Sequence, residues 1–191
     1  QAEDGIRDVE RSRGLGDVYK RQAAYTEITY DGYKASSFLE AEGAKDVGIE
    51  FHSLSKTYNM TGWRIAFAVG NRDIIKGLAK VKSNMDSGIF QAVQYAGIEA
   101  MKLGQYFDNE RNDIYKKRRD VFVSGLKNMG FDVDVPKATF YVWFSTPDGM
   151  SSKEFAMRVL KEANVVITPG IGFGEYGEGY ARAAMTVDVN Y

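Results

Sequence analysis

The chain has 191 residues, of which 44% are hydrophobic and 27% are charged, and its formal net charge is −1. This balance is typical of a globular protein with one domain or a domain and a half, and it lacks the basic excess that indicates nucleic-acid binding. The chain has no cysteine and a single histidine, His52, which excludes disulfides, thiolate metal sites and histidine-rich metal sites.

The first 22 residues show neither helical nor strand periodicity and contain few apolar side chains. Gln1–Asp8 and Ser12–Gln22 resemble the in-frame translation of sequencing-adaptor DNA, and Val9–Arg11 between them fit a short sample barcode. Segments of this kind are excluded from fold reasoning. We therefore expect residues 1–22 to be adaptor-derived and the natural sequence to begin at Ala23.

Two strand patterns enclose the most distinctive motif of the chain. Val47, Ile49 and Phe51 alternate with other residues, and the nearly continuous apolar run IAFAVG, Ile65–Gly70, indicates a buried strand. Between them lies SLSKTYNMTGWR, which is Ser53–Arg64. The sequence therefore predicts that this lysine motif connects two strands.

Helical patterns follow. Asn71 is a suitable N-cap for RDIIKGLAKVK, and QAVQYAGIEAMKL from Gln91 onward is a second helical pattern. We expect both helices to cover the sheet. A long polar helix is predicted from about Tyr106 to Met129, closed by Gly130, and a helix of this length can connect two domains.

The last third of the chain predicts a small α+β domain. A strand pattern in ATFYVWF precedes the helix SKEFAMRVLKEAN, which Ser151 or Ser152 caps, and the strands VVIT and YARAAMTV follow. Between those strands lies PGIGFGEYGEGY, whose five glycines predict a shaped loop. The loop does not match the dinucleotide-binding fingerprint, because that motif needs a helix immediately after it.

The residues around Lys56 favour a cofactor that carries both an aldehyde and a phosphate. A lysine in a loop is usually a solvated surface charge. Here Ser53 and Ser55 supply hydroxyl donors, Arg64 supplies a planar fork suited to phosphate, and Gly62 permits close backbone approach. An amine beside phosphate donors suggests pyridoxal 5′-phosphate held as a Schiff base.

SLSKTYNMTGWR resembles the signature of the class I, fold type I pyridoxal-phosphate aminotransferases, which is S-x-S-K with an arginine eight residues later. Tyr25–Asn71 and Phe173–Val187 are most similar to bacterial LL-diaminopimelate aminotransferases, and the resemblance runs from residue 23 to residue 191. It implies an α/β fold, the C-terminal half of a fold type I transferase. The implied parts are a partial cofactor-binding large domain with a mixed sheet at 23–105, a connecting helix at 106–130 and a truncated small α+β domain at 131–191.

The resemblance assigns roles to the motif residues. It implies that Lys56 is catalytic, forms the Schiff base and then moves the proton between the substrate α-carbon and the cofactor. Ser53, Ser55 and Arg64 match positions around the cofactor phosphate. Tyr25 matches a tyrosine that donates to the ring oxygen of the cofactor, although a tyrosine that packs its ring at a strand end remains an alternative.

Outside the motif, the resemblance implies one substrate-binding residue and reveals one departure. Arg182 matches the arginine that binds the substrate α-carboxylate, and a solvated strand arginine is the alternative. Position 22 holds Gln22 where the family has an aspartate that keeps the pyridine nitrogen protonated, and glutamine has no charge for this task. Tyr58 and Trp63 could line the pocket, although aromatic side chains are more often part of the core. We interpret His52 as structural.

The resemblance implies amino acids and 2-oxo acids as substrates, and in first place amino transfer between LL-diaminopimelate and 2-oxoglutarate in lysine and cell-wall precursor synthesis. The DSGIFQ stretch, Asp86–Gln91, implies a homodimer. The alternatives are another class I aminotransferase for alanine, aspartate or aromatic amino acids, a lyase of the same fold, or the aminotransferase-like sensor domain of a transcription regulator. A DNA-binding segment upstream would favour the regulator.

The location and completeness of the protein are also predicted. No apolar run approaches the roughly 18 residues of a membrane span, and no signal peptide is recognisable, so we expect a cytoplasmic protein that binds no membrane, nucleic acid or metal. The upstream half of the family's active site is not in the sequence. We therefore expect a fragment that does not catalyse amino transfer as written.

Overall fold

The computed structural model describes residues 19–189, apart from the side chains of Tyr19, Gln105 and Tyr106. The chain divides into two compact units, residues 1–109 and residues 110–191. The boundary between them falls inside the segment that the sequence predicts as a connecting helix. The division into large domain, connecting helix and small domain stays a prediction.

The first unit contains a mixed three-stranded sheet in the order β1-β2-β3. Strand β1 (Tyr19–Ala23) runs parallel to β2 (Gly48–Ser53), and β3 (Ala66–Gly70) pairs antiparallel with β2. Parallel neighbours need a crossover connection. Here the crossover contains a 3-10 turn at Phe38–Glu40 and the short helix α1 (Ala44–Val47), where the buried side chains of Phe38 and Ala44 form a small core.

Strand β1 corrects the expectation that nothing before Ala23 has regular structure. Tyr19–Gln22 belong to this strand and pair in register with Gly48–Phe51 of β2. A strand at a sheet edge can form with many side chains, because its neighbour supplies the backbone hydrogen bonds and the pairing overrides weak local propensity. The adaptor origin of residues 1–22 stays a prediction, and residues 1–18 lie outside the described part of the chain.

Strand β3 also differs from its prediction as a buried strand. Phe67 is 41% exposed and Val69 is 40% exposed. A continuous apolar run is typical of a strand that is covered on both faces. In the described part of the chain, however, β3 hydrogen-bonds only to β2 and is an edge strand.

The helices of the first unit begin where the sequence predicts. The single-turn helix α2 (Leu54–Thr57) follows β2 directly. Helix α3 (Arg72–Met85) is capped by Asn71, whose side chain accepts hydrogen bonds from the backbone N–H groups of Asp73 and Ile74 at 2.9 and 3.0 Å. Helix α3 contacts β2 and β3, as expected, but none of its residues is fully buried.

The second and third predicted helices form one span, α4 (Gln91–Asn128), which is interrupted at Gly104. Gly104 has φ 52° and ψ −143°, a conformation that only glycine adopts readily. The helix before this break packs against the connection between β2 and β3 at Gly97, where an added Cβ atom would overlap with the side chain of Ile65 and lie 3.3 Å from that of Leu54.

The second unit contains an antiparallel sheet in the order β4-β6-β5, formed by β4 (Tyr141–Ser145), β5 (Thr168–Pro169) and β6 (Tyr180–Ala184). Helix α5 (Ser152–Ala163) begins with a capping box between Ser151 and Glu154, so Ser151 is the cap of the two that the sequence offered. The core contains buried apolar side chains from the strands, from α4 and α5, and from the connections next to them: Val123, Leu126, Val133, Phe140, Val142, Phe144, Phe155, Ala181, Ala183 and Met185.

The predicted strand VVIT is mostly not a strand. Only Thr168, with Pro169, pairs with β6, while Val165 and Val166 are 50% and 81% exposed. Helix α5 ends at Asn164 in the left-handed conformation, so the following residues first redirect the chain. Apolar β-branched residues favour a strand locally, but pairing decides whether one forms.

The glycine-rich loop has the shape that its composition predicts. It contains two 3-10 turns, and a Cβ atom on Gly170 or Gly177 would overlap with the backbone of the other residue. Glu178 fastens the loop to α5: its carboxylate accepts from the backbone N–H of Ser152 at 2.6 Å and from the Ser152 hydroxyl at 2.9 Å. The Ser152 oxygen in turn accepts from the N–H of Ile171 at 3.3 Å.

We expect Glu178→Gln to lower thermal stability near neutral pH and to have less effect in acid. The Ser152 amide, and next its hydroxyl, lower the pKa of Glu178 from its usual range. A lowered folded-state pKa stabilises the protein above the unfolded pKa, about 4.3, and this contribution is lost as the pH falls through the folded-state value. Calorimetric unfolding of both proteins from pH 7 to pH 3 should therefore show a difference in Tm that shrinks with acidity.

The matched control is Glu175→Gln, which changes an exposed carboxylate in the same loop. We expect its Tm to follow the parent protein at each pH. An equal, pH-independent decrease in both variants would contradict the role given to Glu178.

Candidate active site

The C-terminal ends of β1 and β2 and the N-terminal end of β3 lie at the same end of the first sheet. Strands β1 and β2 run parallel with Ala23 beside His52, so their C-terminal ends lie side by side. Strand β3 runs in the opposite direction and begins there, with Ala66 beside Ser53. Ligand sites of α/β proteins form at the carboxyl ends of parallel strands.

Five residues predicted for the cofactor site lie at these strand ends or directly next to them. Tyr25 follows the end of β1 by two residues, Ser53 is the last residue of β2, Ser55 and Lys56 lie in α2, and Arg64 precedes β3 by two residues. The sequence separates them by up to 39 positions, and the topology of the sheet brings their backbones to one side. The prediction that the lysine motif connects two strands is confirmed.

Helix α2 presents Lys56 beside a hydroxyl cluster. Ser53 caps the helix, because its Oγ accepts from the backbone N–H of Ser55 at 3.2 Å. The Lys56 Nζ donates to the Thr61 Oγ1 at 3.5 Å, the outer limit of a hydrogen bond, and this hydroxyl donates to the carbonyl of Ser55 at 3.0 Å. Lys56 is half-buried, between the buried side chains of its neighbours Ser55 and Thr57.

Arg64 occupies an unusual backbone conformation. Its φ of 54° and ψ of 45° are left-handed, and its Nη1 donates to the carbonyl of Thr61 at 2.9 Å. A non-glycine residue in this region costs of order 1 kcal/mol, and such residues concentrate at functional sites. The guanidinium is exposed and has five N–H donors, so it retains donors for a ligand. The space beside Gly62 is open, since an added Cβ would meet no atom within 4 Å.

This donor set suits a phosphate that is attached to an aldehyde. The Ser53 hydroxyl accepts one hydrogen bond and keeps its proton for donation, Arg64 supplies a planar cation, and the Lys56 amine lies in the turn between them. No group of three or more histidine, cysteine, aspartate or glutamate side chains within residues 19–189 could hold a metal ion. The same range contains no helix that is long and apolar enough to cross a membrane.

Arg182 lies in the second unit, in the middle of β6, opposite Trp143 of β4 and Thr168 of β5. Its guanidinium carbon lies 4.1 Å from the ring centre of Tyr141 and 4.5 Å from that of Phe173. The side chain is half-buried, which disfavours the alternative of a fully solvated strand arginine.

The family model for class I and II aminotransferases matches residues 22–190, which is most of the chain and includes the lysine motif. The chain belongs to the class I and II aminotransferases. The predicted fold class is confirmed: this is the C-terminal half of a fold type I aminotransferase.

This aminotransferase chain is similar to three proteins in sequence or structure. The LL-diaminopimelate aminotransferase of Syntrophobacter fumaroxidans is 60% identical over 87% of the chain and 43% of that protein. The protein of the same name from Moorella thermoacetica is 55% identical over 94% of the chain and 46% of that protein. An aminotransferase structure from Staphylococcus aureus superposes with a TM-score of 0.91 and 35% identity, over 98% of the chain and 50% of that structure. The chain spans about half the length of the proteins it matches.

Two predicted aromatic residues of the aminotransferase motif have different surroundings. The ring of Tyr58 stacks on Phe107 with the centroids 6.0 Å apart, in agreement with a core role. Trp63 is 49% exposed, which excludes the core alternative for this residue. Gly62 and the left-handed Arg64 on either side of it place the indole in an exposed turn.

The aminotransferase site lacks the negative charge that the family places near position 22. Gln22 lies in β1 beside Phe51 of β2, one residue before the end of the strand, and its side chain is exposed and neutral. The phosphate and amine donors therefore fit pyridoxal phosphate, whereas this position does not supply the partner expected for the pyridine nitrogen.

One buried carboxylate of this aminotransferase chain, that of Glu50, was not predicted from the sequence. Glu50 is 1% exposed, and its oxygens accept from the Ser37 hydroxyl at 3.1 Å, the Phe38 amide at 2.8 Å and the His52 Nε2 at 2.7 Å, with Arg21 3.9 Å away. These contacts tie the crossover connection to β2 and give His52 a structural partner. The only signal in the sequence was an acidic residue inside an apolar strand pattern, where burial requires partners.

Proposed function

We propose that this chain is part of a pyridoxal-phosphate-dependent aminotransferase that transfers an amino group between LL-diaminopimelate and 2-oxoglutarate. The observation that carries the proposal is the lysine motif, which presents an amine, hydroxyls and a guanidinium where the strand ends of the first sheet lie side by side. The substrate is supported by the names of the relatives that are 60% and 55% identical.

In this proposal the first unit holds the cofactor. Ser53, Ser55 and Arg64 would donate to its phosphate, and the hydroxyl of Tyr25 would donate to its ring oxygen. When bound, pyridoxal phosphate supplies an electron sink that makes the substrate α-carbon acidic. Lys56 would act as the catalytic base and acid: its Nζ would take the proton from the substrate α-carbon and deliver it to the cofactor.

The second unit contributes the proposed substrate-binding residue. Arg182 would bind the α-carboxylate of the amino acid or 2-oxo acid through two parallel N–H donors. A carboxylate is common to both substrates of an amino transfer, so a single arginine can serve both halves of the reaction. We place the enzyme in the cytoplasm, since both proposed substrates are water-soluble metabolites.

A homodimer is part of the same proposal. Met85, Phe90 and Tyr95, around the DSGIFQ stretch, are 76%, 76% and 67% exposed. Large apolar side chains concentrated in one surface segment are typical of a protein interface. Sedimentation of the complete protein at micromolar concentration tests this part separately.

The proposed substrate is tested by extending the coding sequence in both directions and assaying the complete protein. We expect formation of glutamate from LL-diaminopimelate and 2-oxoglutarate. We expect kcat/KM for alanine, aspartate and aromatic amino acids to be lower by about 100-fold, because the complete site was selected for the second amino-acid group of diaminopimelate. A higher kcat/KM for aspartate or an aromatic amino acid would reassign the substrate.

The control is the 191-residue chain itself, assayed in parallel with added pyridoxal phosphate. We expect no amino transfer from it. Turnover by the chain alone would contradict the prediction that it is an inactive fragment.

A further inference from the structure

One face of the second sheet is lined by aromatic rings around a single cation. Side chains of β4 and β6 alternate between two faces. Val142, Phe144, Ala181 and Ala183 point into the core and are buried. The opposite face presents Tyr141 and Trp143 from β4 and Tyr180 and Arg182 from β6.

Two rings flank the guanidinium of Arg182. The ring centres of Tyr141 and Phe173 lie 4.1 and 4.5 Å from its carbon atom, within the range of a strong cation–π contact. Tyr141 comes from β4, whereas Phe173 comes from the 3-10 turn Gly170–Phe173 after β5. Within the described residues, no carboxylate or carbonyl oxygen forms a hydrogen bond or ion pair with Arg182.

This surrounding suits the arginine to binding a carboxylate. A guanidinium is planar, and all five of its N–H groups point outward in that plane. Rings this close to the guanidinium carbon shield the cation from water and limit its movement, while its N–H groups form no hydrogen bond to a described residue. A bidentate carboxylate approaches in the same plane, so the rings favour the geometry that this ligand needs.

The rings are themselves held in place. Phe173 packs edge-on against Trp143 with the centroids 5.5 Å apart, and Tyr141 packs against Phe140 at 4.7 Å. The turn that presents Phe173 is fastened to α5 by the hydrogen bond from Ile171 to Ser152. Because this hydrogen bond holds the turn, the ring of Phe173 orders the side chain of Arg182 in the absence of a ligand. Less conformational entropy is then lost when a ligand binds.

We propose that Tyr141 and Phe173 are positioning residues that orient the guanidinium of Arg182 for the carboxylate of the amino acid and the 2-oxo acid. The inference rests on the proposed function, in which Arg182 binds that carboxylate. The two residues act through Arg182, so their removal weakens carboxylate binding and leaves the proton transfer at Lys56 intact.

The test compares leucine and aromatic replacements of Phe173, which is half exposed and tolerant of substitution. We load the complete protein with pyridoxal phosphate and titrate it calorimetrically with 2-oxoglutarate, which binds this form without reacting. We expect Phe173→Leu and Tyr141→Leu each to raise the Kd about tenfold, the effect of a cation–π contact of about 1.4 kcal/mol. Phe173→Tyr, which keeps the ring, should restore the Kd to within about twofold of the parent value.

Steady-state kinetics supply the readout that distinguishes positioning from a general structural effect. Phe173→Leu should raise KM for the amino acid and the 2-oxo acid by a similar factor and change kcat by less than about twofold. The matched control is Tyr176→Leu, which removes a fully exposed ring from the same loop and should leave Kd and KM unchanged.

The outcomes separate the inference from the proposed function. If Arg182→Lys leaves the Kd for 2-oxoglutarate unchanged, Arg182 does not bind the carboxylate and the proposed site fails. If Arg182→Lys weakens binding but Phe173→Leu and Tyr141→Leu do not, only the positioning role is overturned. Equal weakening by Phe173→Leu and Tyr176→Leu, or a decrease confined to kcat, would also overturn it.

Discussion

Replacement of Lys56 by alanine should abolish amino transfer by the complete protein, with a loss in kcat on the order of 10⁴-fold or more. In the proposed function a single amine, that of Lys56, would both attach the cofactor and transfer the proton at the substrate α-carbon. General acid–base catalysis alone accounts for about 10²–10⁴-fold. No other amine lies in the Ser53–Arg64 connection. Steady-state assays with LL-diaminopimelate and 2-oxoglutarate measure the loss.

Two further measurements show whether Lys56 is the attachment point. The parent protein should gain mass on the peptide containing Lys56 after treatment with pyridoxal phosphate and borohydride, and Lys56→Ala should not. The matched control is Lys80→Ala, which removes an exposed lysine from α3 and should change neither the labelling nor kcat. Labelling of another lysine in the parent, with activity retained in Lys56→Ala, would refute the assignment.

In a complete protein that keeps glutamine at position 22, as in this chain, replacement of Gln22 by aspartate should raise kcat by about 100-fold. The physical reason is electrostatic: a carboxylate at this strand position would keep the pyridine nitrogen of the bound cofactor protonated, and one well-placed electrostatic group is worth about 10²–10³ in kcat. Gln22 is the residue at which the aminotransferase match begins, and its exposed side chain does not fill the core of the first unit. The gain is therefore not expected from improved folding.

Gln22→Asn is the control for this prediction, because asparagine has the shape of aspartate without its charge. We expect kcat of Gln22→Asn to remain near that of the parent, and KM for both substrates to change little in either variant. If asparagine and aspartate raise kcat equally, the effect is one of shape, and the expected role of charge at position 22 is wrong.

The core of the proposed site was predictable because it is local in sequence. Ser53, Lys56 and Arg64 fall within twelve consecutive residues, and the residue types alone suggest a phosphate and an amine. The capping of α3 by Asn71 and of α5 by Ser151 was predictable for the same reason, since a cap involves residues only two or three positions apart.

The errors in the prediction all concern pairing and exposure. Phe67 and Val69 are apolar and form a strand, as expected, but the position of β3 at the sheet edge leaves them partly exposed. Val165 and Val166 have strong strand propensity, but neither pairs with a strand within residues 19–189. Residues 19–22 lack a strand pattern, and β2 nevertheless pairs with them. Each outcome depends on a distant neighbour, which local patterns do not encode.

The sequence by itself determined the family, the fold class, the lysine motif and the glycine-rich loop, because each depends on a short pattern of residue types. Only the tertiary structure decided which distant groups meet. In the structure, Glu50 forms polar contacts with Ser37 and His52, and Ser152 forms a hydrogen bond with Glu178. The guanidinium of Arg182 contacts the rings of Tyr141 and Phe173. These contacts connect residues on different elements, and strand register and chain reversal, rather than sequence spacing, set the distances between them.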